Sequence, residues 1–149
     1  MEKISIFDVA DWFLSKEPMT NKKLQKLCYY AYSWFIYLYN DDRENIENRL
    51  FDDKFQAWVH GPVNTRLYHK YKNNGFRNIE KTKDPMLSEE YNDFLEKIWN
   101  EYGDFNGDQL ETISHQELPW IKAREGLASF EATNKEIEEK DIFMEYSER

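Results

Sequence analysis

The stretch AWVHGPV, residues 57–63, holds a histidine at a place where it could carry chemistry. His60 stands among aromatic and turn-forming residues, and two carboxylates, Asp52 and Asp53, precede it along the chain. A histidine oriented by a carboxylate is a common general base in hydrolytic enzymes. These residues therefore make a hydrolase centred on His60 the strongest enzymatic hypothesis for the chain.

Other catalytic and metal-binding patterns are absent from the sequence. The histidines form no HxxxH or HExxH pair, and the single cysteine, Cys28, has no CxxC partner, so the spacing predicts no metal site. The chain has no GxSxG elbow, and its 5 glycines are not clustered into a phosphate-binding loop. Cys28 lies on an apolar helical stripe, where a thiol usually behaves as a small hydrophobe. We therefore expect no cofactor, no metal ion and no enzymatic activity.

Composition indicates one folded domain over residues 1–149. The chain is 40% hydrophobic and 17% aromatic, which is enough for a core despite 33% charged residues. One cysteine excludes an internal disulfide and fits a reducing compartment. No apolar run approaches the length of a membrane span, and the first apolar stretch contains acids. A cytoplasmic protein without membrane contact is expected.

The formal charge of −9 is unevenly distributed. Residues 1–100 hold 16 acidic and 15 basic side chains, whereas residues 101–149 hold 13 acidic and 5 basic ones. This balance argues against direct binding of nucleic acid through its phosphates. The acidic last third is interpreted as a solvated surface or, alternatively, as a surface that steers a basic partner. The acids considered for steering are Glu136, Glu138, Glu139 and Asp141.

Helical periodicity predicts a mainly α fold, a compact domain of six to seven helices around a central buried helix over about 20–39. Ser5 is expected to cap a first helix over 6–16, and Thr20 to cap the central helix. Apolar residues of the central helix recur on one stripe at about 100° per residue. That stripe comprises Leu24, Leu27, Cys28, Ala31, Phe35 and Leu38.

The opposite sector of the central helix is more polar and carries two tyrosines. The tyrosines either lie flat on the surface or form, with nearby lysines, an amphipathic contact surface, since Tyr is enriched at interfaces. The second interpretation defines the candidate partner-binding residues Lys22, Lys23, Lys26, Tyr30 and Tyr37.

A small β element is expected near 54–59 and 76–81, because apolar residues alternate with others in the first of these segments. Pro62 fits the first position of a helix, which should end at Asn74-Gly75. Further helices are expected over about 89–102, after Asn106, from Pro119, and over 138–147.

His60 is better interpreted as part of a corner than as a catalyst. Its ring should bond a neighbouring backbone group, with Trp58 packed alongside, where a strand turns into a helix. His115 has the same character, because it ends one short helix before Pro119 starts the next.

Four stretches, taken in order, resemble the Panacea domain, a SocA-like antitoxin domain also seen in phage-associated GepA proteins. They are LQKLCYYAYSWFIYLYN (24–40), FQAWVHGPV (55–63) with LYHKYK (67–72), LSEEYNDFLEKIWNEYG (87–103) and HQELPWIKAREG (115–126). The resemblance implies that its motif residues maintain the fold or make contacts rather than catalyse. Those residues are Trp58, His60, Gly61, Pro62, Val63, His115, Pro119 and Trp120.

The resemblance also implies a function. Members of the family resemble antitoxins, which are encoded beside a toxin gene and neutralise its product, so we expect direct stoichiometric binding of a cognate protein toxin. The SocA branch instead delivers its toxin to the ClpXP protease, which makes a proteolytic adaptor one alternative. A phage- or prophage-encoded inhibitor of a host or defence protein is another.

Overall fold

The computed structural model describes residues 2–149 and shows a mainly helical domain with one small antiparallel hairpin, which confirms the predicted fold class. The elements are α1 Ile6–Leu14, α2 Asn21–Leu38, β1 Gln56–Trp58, β2 Gly61–Val63, α3 Thr65–Tyr71 with a 3-10 turn Lys72–Asn74 after it, α4 Glu89–Tyr102, α5 Gly107–Ser114, α6 Leu118–Ala123 and α7 Glu139–Ser147.

Side-chain caps fix where the helices begin. Ser5 and Asp8 form a reciprocal capping box at the start of α1, and the Thr20 hydroxyl accepts a hydrogen bond from the Lys23 N–H at the start of α2. A second capping box, formed with Asn106, opens α5. Each cap satisfies N–H groups that have no partner inside the helix. The predicted helix starts at these three caps are therefore confirmed.

The helix α2 is the centre of the domain. It packs against α1, α3, α4, α5, α7 and β2, and 13 of its residues are buried. Of the predicted apolar stripe, only Leu38 is exposed, at 58%, because it lies at the last position of the helix. Tyr29 and Tyr32 pack on Phe55 with ring centroids 5.3 and 5.4 Å apart. The prediction of a central helix packed on most sides is confirmed.

The hairpin differs from the expected strand-to-helix corner. β1 pairs with β2, so that Val59 and His60 form the turn and Pro62 lies in a strand opposite Ala57. The Ala57 N–H points away from β2 and donates to the Lys135 carbonyl at 2.9 Å. The residue opposite Ala57 therefore does not need the backbone N–H that a proline lacks. The prediction that Pro62 starts a helix is wrong.

The helix after the hairpin starts at Thr65 instead. Asn64 is its N-cap, and the Asn64 side chain accepts the Leu67 N–H at 2.9 Å. Val63, the one residue between Pro62 and the cap, stays extended because it still pairs with Gln56 of β1.

The segment 76–81 forms no strand of the sheet. Ile79 makes only an isolated bridge with Met19, in which the Ile79 N–H donates to the Met19 carbonyl at 2.7 Å and the Met19 N–H donates back at 3.3 Å. The expected second strand at 76–81 is therefore wrong, since β1 takes its partner from Gly61–Val63. The bridge ties the segment to the connection between α1 and α2.

Candidate functional site

The two histidine stretches meet against the central helix. The Trp120 Nε1–H donates to the Trp58 carbonyl at 2.9 Å, and the His115 ring stacks on Trp120 at 3.8 Å with an interplanar angle of 13°. Arg124 donates to the Ala57 carbonyl at 2.7 Å. We call this region the motif junction. It comprises Lys26, Trp58, His60, Gly61, Glu111, Ser114, His115 and Trp120.

His60 lies at the outer edge of the motif junction. Its side chain is 72% exposed, and its Nδ1 lies 3.2 Å from Glu111 Oε2. Asp52 and Asp53 form ion pairs with other cations, so neither orients the imidazole. The expected bond from His60 to neighbouring backbone is replaced by the contact with Glu111. The hydrolase hypothesis thus loses the two carboxylates on which it rested.

Glu111 is the charged partner shared by His60 and Lys22. Burial acts to raise the pKa of the Glu111 carboxyl, but hydrogen bonds from Lys22 and His60 outweigh it and hold the pKa below its usual value. The carboxylate is therefore ionised near neutral pH and can only accept hydrogen bonds. A hydrogen bond between the two therefore requires the facing His60 nitrogen, Nδ1, to be the donor.

Gly61 allows the hairpin to lie directly on Lys26. Its φ is +110°, and a Cβ at this position would lie 2.7 Å from Lys26 Cε and 3.2 Å from Ser114 Oγ. Any other residue would have to displace the lysine side chain, and its backbone would be strained at this φ. The glycine of the first histidine stretch is thus required by close approach to the central helix.

Lys26 is 2% exposed, and within residues 2–149 its ammonium forms no ion pair and no hydrogen bond. Burial, and to a smaller extent Lys22, lower the pKa of Lys26 to about 7, although Glu111 acts in the opposite direction. A buried amine without a partner is costly in its charged form. The motif junction therefore carries a titratable group poised near neutral pH.

The ring of His115 contributes packing at the junction. Burial is the main cause that lowers the pKa of His115, with Glu111 opposing it. Its Nε2 has no hydrogen-bond partner in the part of the chain that the structure describes. The neutral ring stacks on Trp120, an arrangement that favours aromatic packing over proton transfer.

Glu117 forms a second polar contact between the HQELPW stretch and α2. Tyr30 donates its hydroxyl hydrogen to Glu117 Oε1 at 3.0 Å, and Arg149 donates to Glu117 Oε2 at 2.7 Å. Burial raises the pKa of Glu117, although both of these hydrogen bonds oppose the rise. Tyr30 also stacks on Tyr102 at 4.2 Å. Sequence analysis missed Glu117, because its buried position depends on Tyr30, far away in the chain.

The polar sector of α2 is a contact surface within the domain. Lys22, Lys26 and Tyr30 follow one another at helical spacing, and they meet Glu111, Gly61 and Glu117 respectively. Lys26 is 2% and Tyr30 0% exposed, so the expectation that both lie on an accessible polar sector is wrong. Helix α5, the hairpin and the connection between α5 and α6 cover this sector, which helical periodicity alone could not show.

Lys23 and Tyr37 also make internal contacts. Lys23 donates to the Gly103 carbonyl at 2.7 Å, and the Tyr37 ring packs against Phe143 at 5.3 Å. Neither is fully buried. A role for Lys22, Lys23 and Tyr37 in binding a partner stays a prediction.

Gln25 is a further residue that the pattern did not reveal. Its amide donates to the Asn64 carbonyl at 2.9 Å and accepts from the Asn64 N–H at 2.8 Å. Asn64 also donates to the Lys54 carbonyl at 2.8 Å. This buried pair fixes the exit of β2 and the start of α3 on the central helix. The only signal was a glutamine beside the apolar stripe.

A surface groove lies elsewhere, between segments 43–54 and 136–140. It has a volume of about 390 Å³ and charged walls, where Arg49 and Lys54 pair with Glu139. Across residues 2–149, no three His, Cys, Asp or Glu side chains come together as a metal-binding group. None of the helices described is both long enough and apolar enough to span a bilayer.

The fold and the junction together define a helical domain whose histidine motifs join a hairpin and two short helices to a buried central helix. The family model for the antitoxin SocA-like Panacea domain matches residues 24–121, which include the whole motif junction. The chain therefore belongs to the SocA-like Panacea antitoxin family. Comparisons with curated proteins and with solved structures gave no match.

Proposed function

We propose that the protein is an antitoxin that neutralises a cognate protein toxin by direct stoichiometric binding in the cytoplasm. Membership of the antitoxin family, through the match over residues 24–121, is the observation that carries this proposal. The motif residues make their contacts within the domain, and this structural role agrees with a protein that acts by binding. Binding requires no enzymatic activity, cofactor or metal ion, and neither a membrane nor a nucleic acid takes part.

The mechanism is occlusion, in which an outer helical surface covers the site on the toxin that does damage. Steering by the acidic last third receives only limited support. Of its proposed residues, Glu139 pairs with Arg49 and Lys54, and Asp141 is 6% exposed. Only Glu136 and Glu138 remain exposed.

Co-expression with the product of the adjacent gene tests the proposal. We expect the neighbouring protein to arrest growth alone, the present chain to restore growth, and the two to co-purify in equal amounts. A variant with Leu27→Asp in the core is the control, because it should abolish both rescue and binding by unfolding the domain. A toxic neighbour that is neither bound nor neutralised contradicts the proposal.

Two other outcomes would point to the alternative functions. Rescue without a stable complex, lost in cells that lack ClpXP, would indicate a proteolytic adaptor. A neighbour without toxicity, combined with capture of a host or defence protein, would indicate a phage- or prophage-encoded inhibitor. Either result would replace occlusion of a cognate toxin as the function.

A further inference from the structure

A strongly basic segment crosses this acidic protein at residues 66–83. It contains one carboxylate, Glu80, and six cations, in a chain of formal charge −9. The near balance of charge over residues 1–100 conceals it. The six cations are Arg66, Lys70, Lys72, Arg77, Lys81 and Lys83, and all are exposed.

The cations of this basic segment are unusual in having few internal partners. Arg66 pairs with Asp53 at 2.9 Å, but the other five have no carboxylate within 4 Å among residues 2–149. In the rest of the chain, nine of the fourteen Lys and Arg side chains form ion pairs. Five of the eight exposed cations without an ion pair among residues 2–149 therefore lie in this one stretch.

Contacts with α1 hold the basic segment in place. Arg66 and Lys70 lie over the Phe7 ring, at 4.9 and 5.2 Å from its centroid. Near the other end, the Thr82 hydroxyl donates to the Asp11 carbonyl at 2.8 Å, and Ile79 is bridged to the connection after α1. Anchoring at both ends presents the cations on a fixed surface, which reduces the ordering cost of binding.

An aromatic side chain stands in the middle of this basic segment. Phe76 is 99% exposed, and it follows Gly75, whose φ of +57° ends the preceding turn. Arg77, the next residue, donates hydrogen bonds to the Asn73 and Asn74 carbonyls at 3.3 Å. A fully exposed phenyl ring beside cations has no internal role, and aromatic side chains are frequent anchors at protein interfaces.

We propose that the basic segment 66–83 is the surface that docks the toxin, with Phe76 entering an apolar pocket that is surrounded by acidic side chains. This inference rests on the proposed function and names the contact surface and the chemistry of the partner. A protein partner fits better than a nucleic acid, since a chain of charge −9 repels an extended phosphate backbone. Under this proposal basic residues attract an acidic partner, whereas the acidic last third was expected to attract a basic one.

The charge of the surface is tested with two triple variants that have the same net charge. One replaces Lys72, Lys81 and Lys83 with Gln. The control makes the same replacement with Gln at Lys97, Lys122 and Lys135, which are also exposed and form no ion pair within residues 2–149. Association with the purified product of the adjacent gene is measured at low and high salt. We expect the first variant to associate about tenfold more slowly at low salt and the control to change less than about twofold.

The aromatic anchor is tested with a matched pair of single variants. Phe76→Ala should raise the Kd at least about tenfold, whereas Phe130→Ala, at a ring that is 87% exposed on another loop, should leave it unchanged. Both variants should keep the melting temperature of the parent, because neither ring is packed.

The outcomes separate this inference from the proposed function. If the parent chain binds and rescues but both triple variants behave alike, or Phe76→Ala matches Phe130→Ala, the docking surface is wrong while the antitoxin proposal stands. If the parent chain neither binds nor rescues, both proposals fall. If a short oligothymidylate binds through the same three lysines more tightly than the product of the adjacent gene does, the proposal of a protein partner is wrong.

Discussion

Gly61 and Lys26 set the closest approach between the hairpin and the central helix. A Cβ on residue 61 would lie 2.7 Å from Lys26 Cε, and the backbone φ is +110°. Gly61→Ala should therefore lower the free energy of unfolding by about 3 kcal/mol, through steric overlap added to backbone strain. Urea denaturation followed by circular dichroism measures the change.

Gly126 provides the control for this substitution. Its φ is +82°, but no atom of the described part of the chain lies within 4 Å of where a Cβ would be, so Gly126→Ala should cost only the strain, about 1 kcal/mol. Equal losses for the two variants would show that Gly61 is needed only for its φ.

Lys26 makes stability depend on pH near neutrality. Its pKa is about 7 in the folded chain, against an ordinary value of 10.5. Between these values the unfolded state binds more protons, so stability should rise with pH through this window, by at most about 1.4 kcal/mol per pH unit. Lys26→Met should remove this slope and be more stable than the parent at pH 7.

The other titratable groups that face Lys26 also make stability depend on pH. Comparing the parent with Lys26→Met at each pH subtracts most of their contribution. These titratable neighbours are Lys22, Glu111 and His115. Denaturation midpoints between about pH 7.5 and 9.5 provide the measurement. Parallel pH profiles for the two proteins would mean that Lys26 stays charged in the folded state.

His60 is expendable for folding, because its side chain is 72% exposed and Glu111 is its one polar partner among residues 2–149. His60→Ala should change the free energy of unfolding by less than about 1 kcal/mol, as for other exposed ion pairs, and should still restore growth beside the toxin. Loss of rescue with unchanged stability would revive a catalytic or contact role for His60. Growth assays and thermal melts of the same variant give the two readings.

At the scale of elements, the tryptophan of α6 couples that helix to the hairpin. Trp120 donates to the Trp58 carbonyl at 2.9 Å, so Trp120→Phe should cost about 1 kcal/mol beyond the loss of ring volume, because the carbonyl loses its donor. Trp99→Phe is the matched control: Trp99 is also half-buried, and no hydrogen bond from its indole N–H is present in residues 2–149. If urea denaturation gives the same loss of stability for the two variants, the hydrogen bond from Trp120 to the Trp58 carbonyl contributes nothing.

Local signals predict the helices well and the hairpin poorly. Ser5, Thr20 and Asn106 are read directly as caps, since their partners lie three residues away. The residues next to Gly61-Pro62 do not decide between a helix and a strand, because a proline after a glycine suits either a helix start or a strand position that donates no hydrogen bond. The strand position is favoured by a contact that is distant in the sequence, because the Ala57 N–H donates to the Lys135 carbonyl.

The motif junction shows the same limit. Sequence reasoning singled out Lys22, Lys26 and Tyr30 as a contact surface, and they do form one, but with Glu111 and Glu117 of the same chain. Periodicity assigns residues to a face of a helix without saying what covers that face. Helix α5 and the connection after it, more than seventy residues away in the sequence, cover this face together with the hairpin.

For the whole molecule, the family match covers residues 24–121, whereas the hydrophobic core extends beyond it on both sides. α1 lies before the matched region and α7 lies after it, and both pack on α2. Each contributes fully buried side chains to the shared core, namely Ile6, Val9, Ala10, Trp12, Phe13 and Leu14 from α1 and Ile142 and Tyr146 from α7.

The fragment 24–121 should therefore fail to fold on its own. Burial of a large apolar side chain contributes about 1.5–3 kcal/mol, so losing the large buried side chains of α1 and α7 removes roughly 10–20 kcal/mol, as much as the 5–15 kcal/mol by which a domain is usually stable. We expect no cooperative thermal transition and poorly dispersed amide resonances for 24–121. Fragments 24–149 and 1–121, each lacking one flank, should be weakened to different degrees, because α7 also supplies contacts to α6. A cooperative melt of 24–121 close to that of the full chain would show that the matched region is a domain in itself.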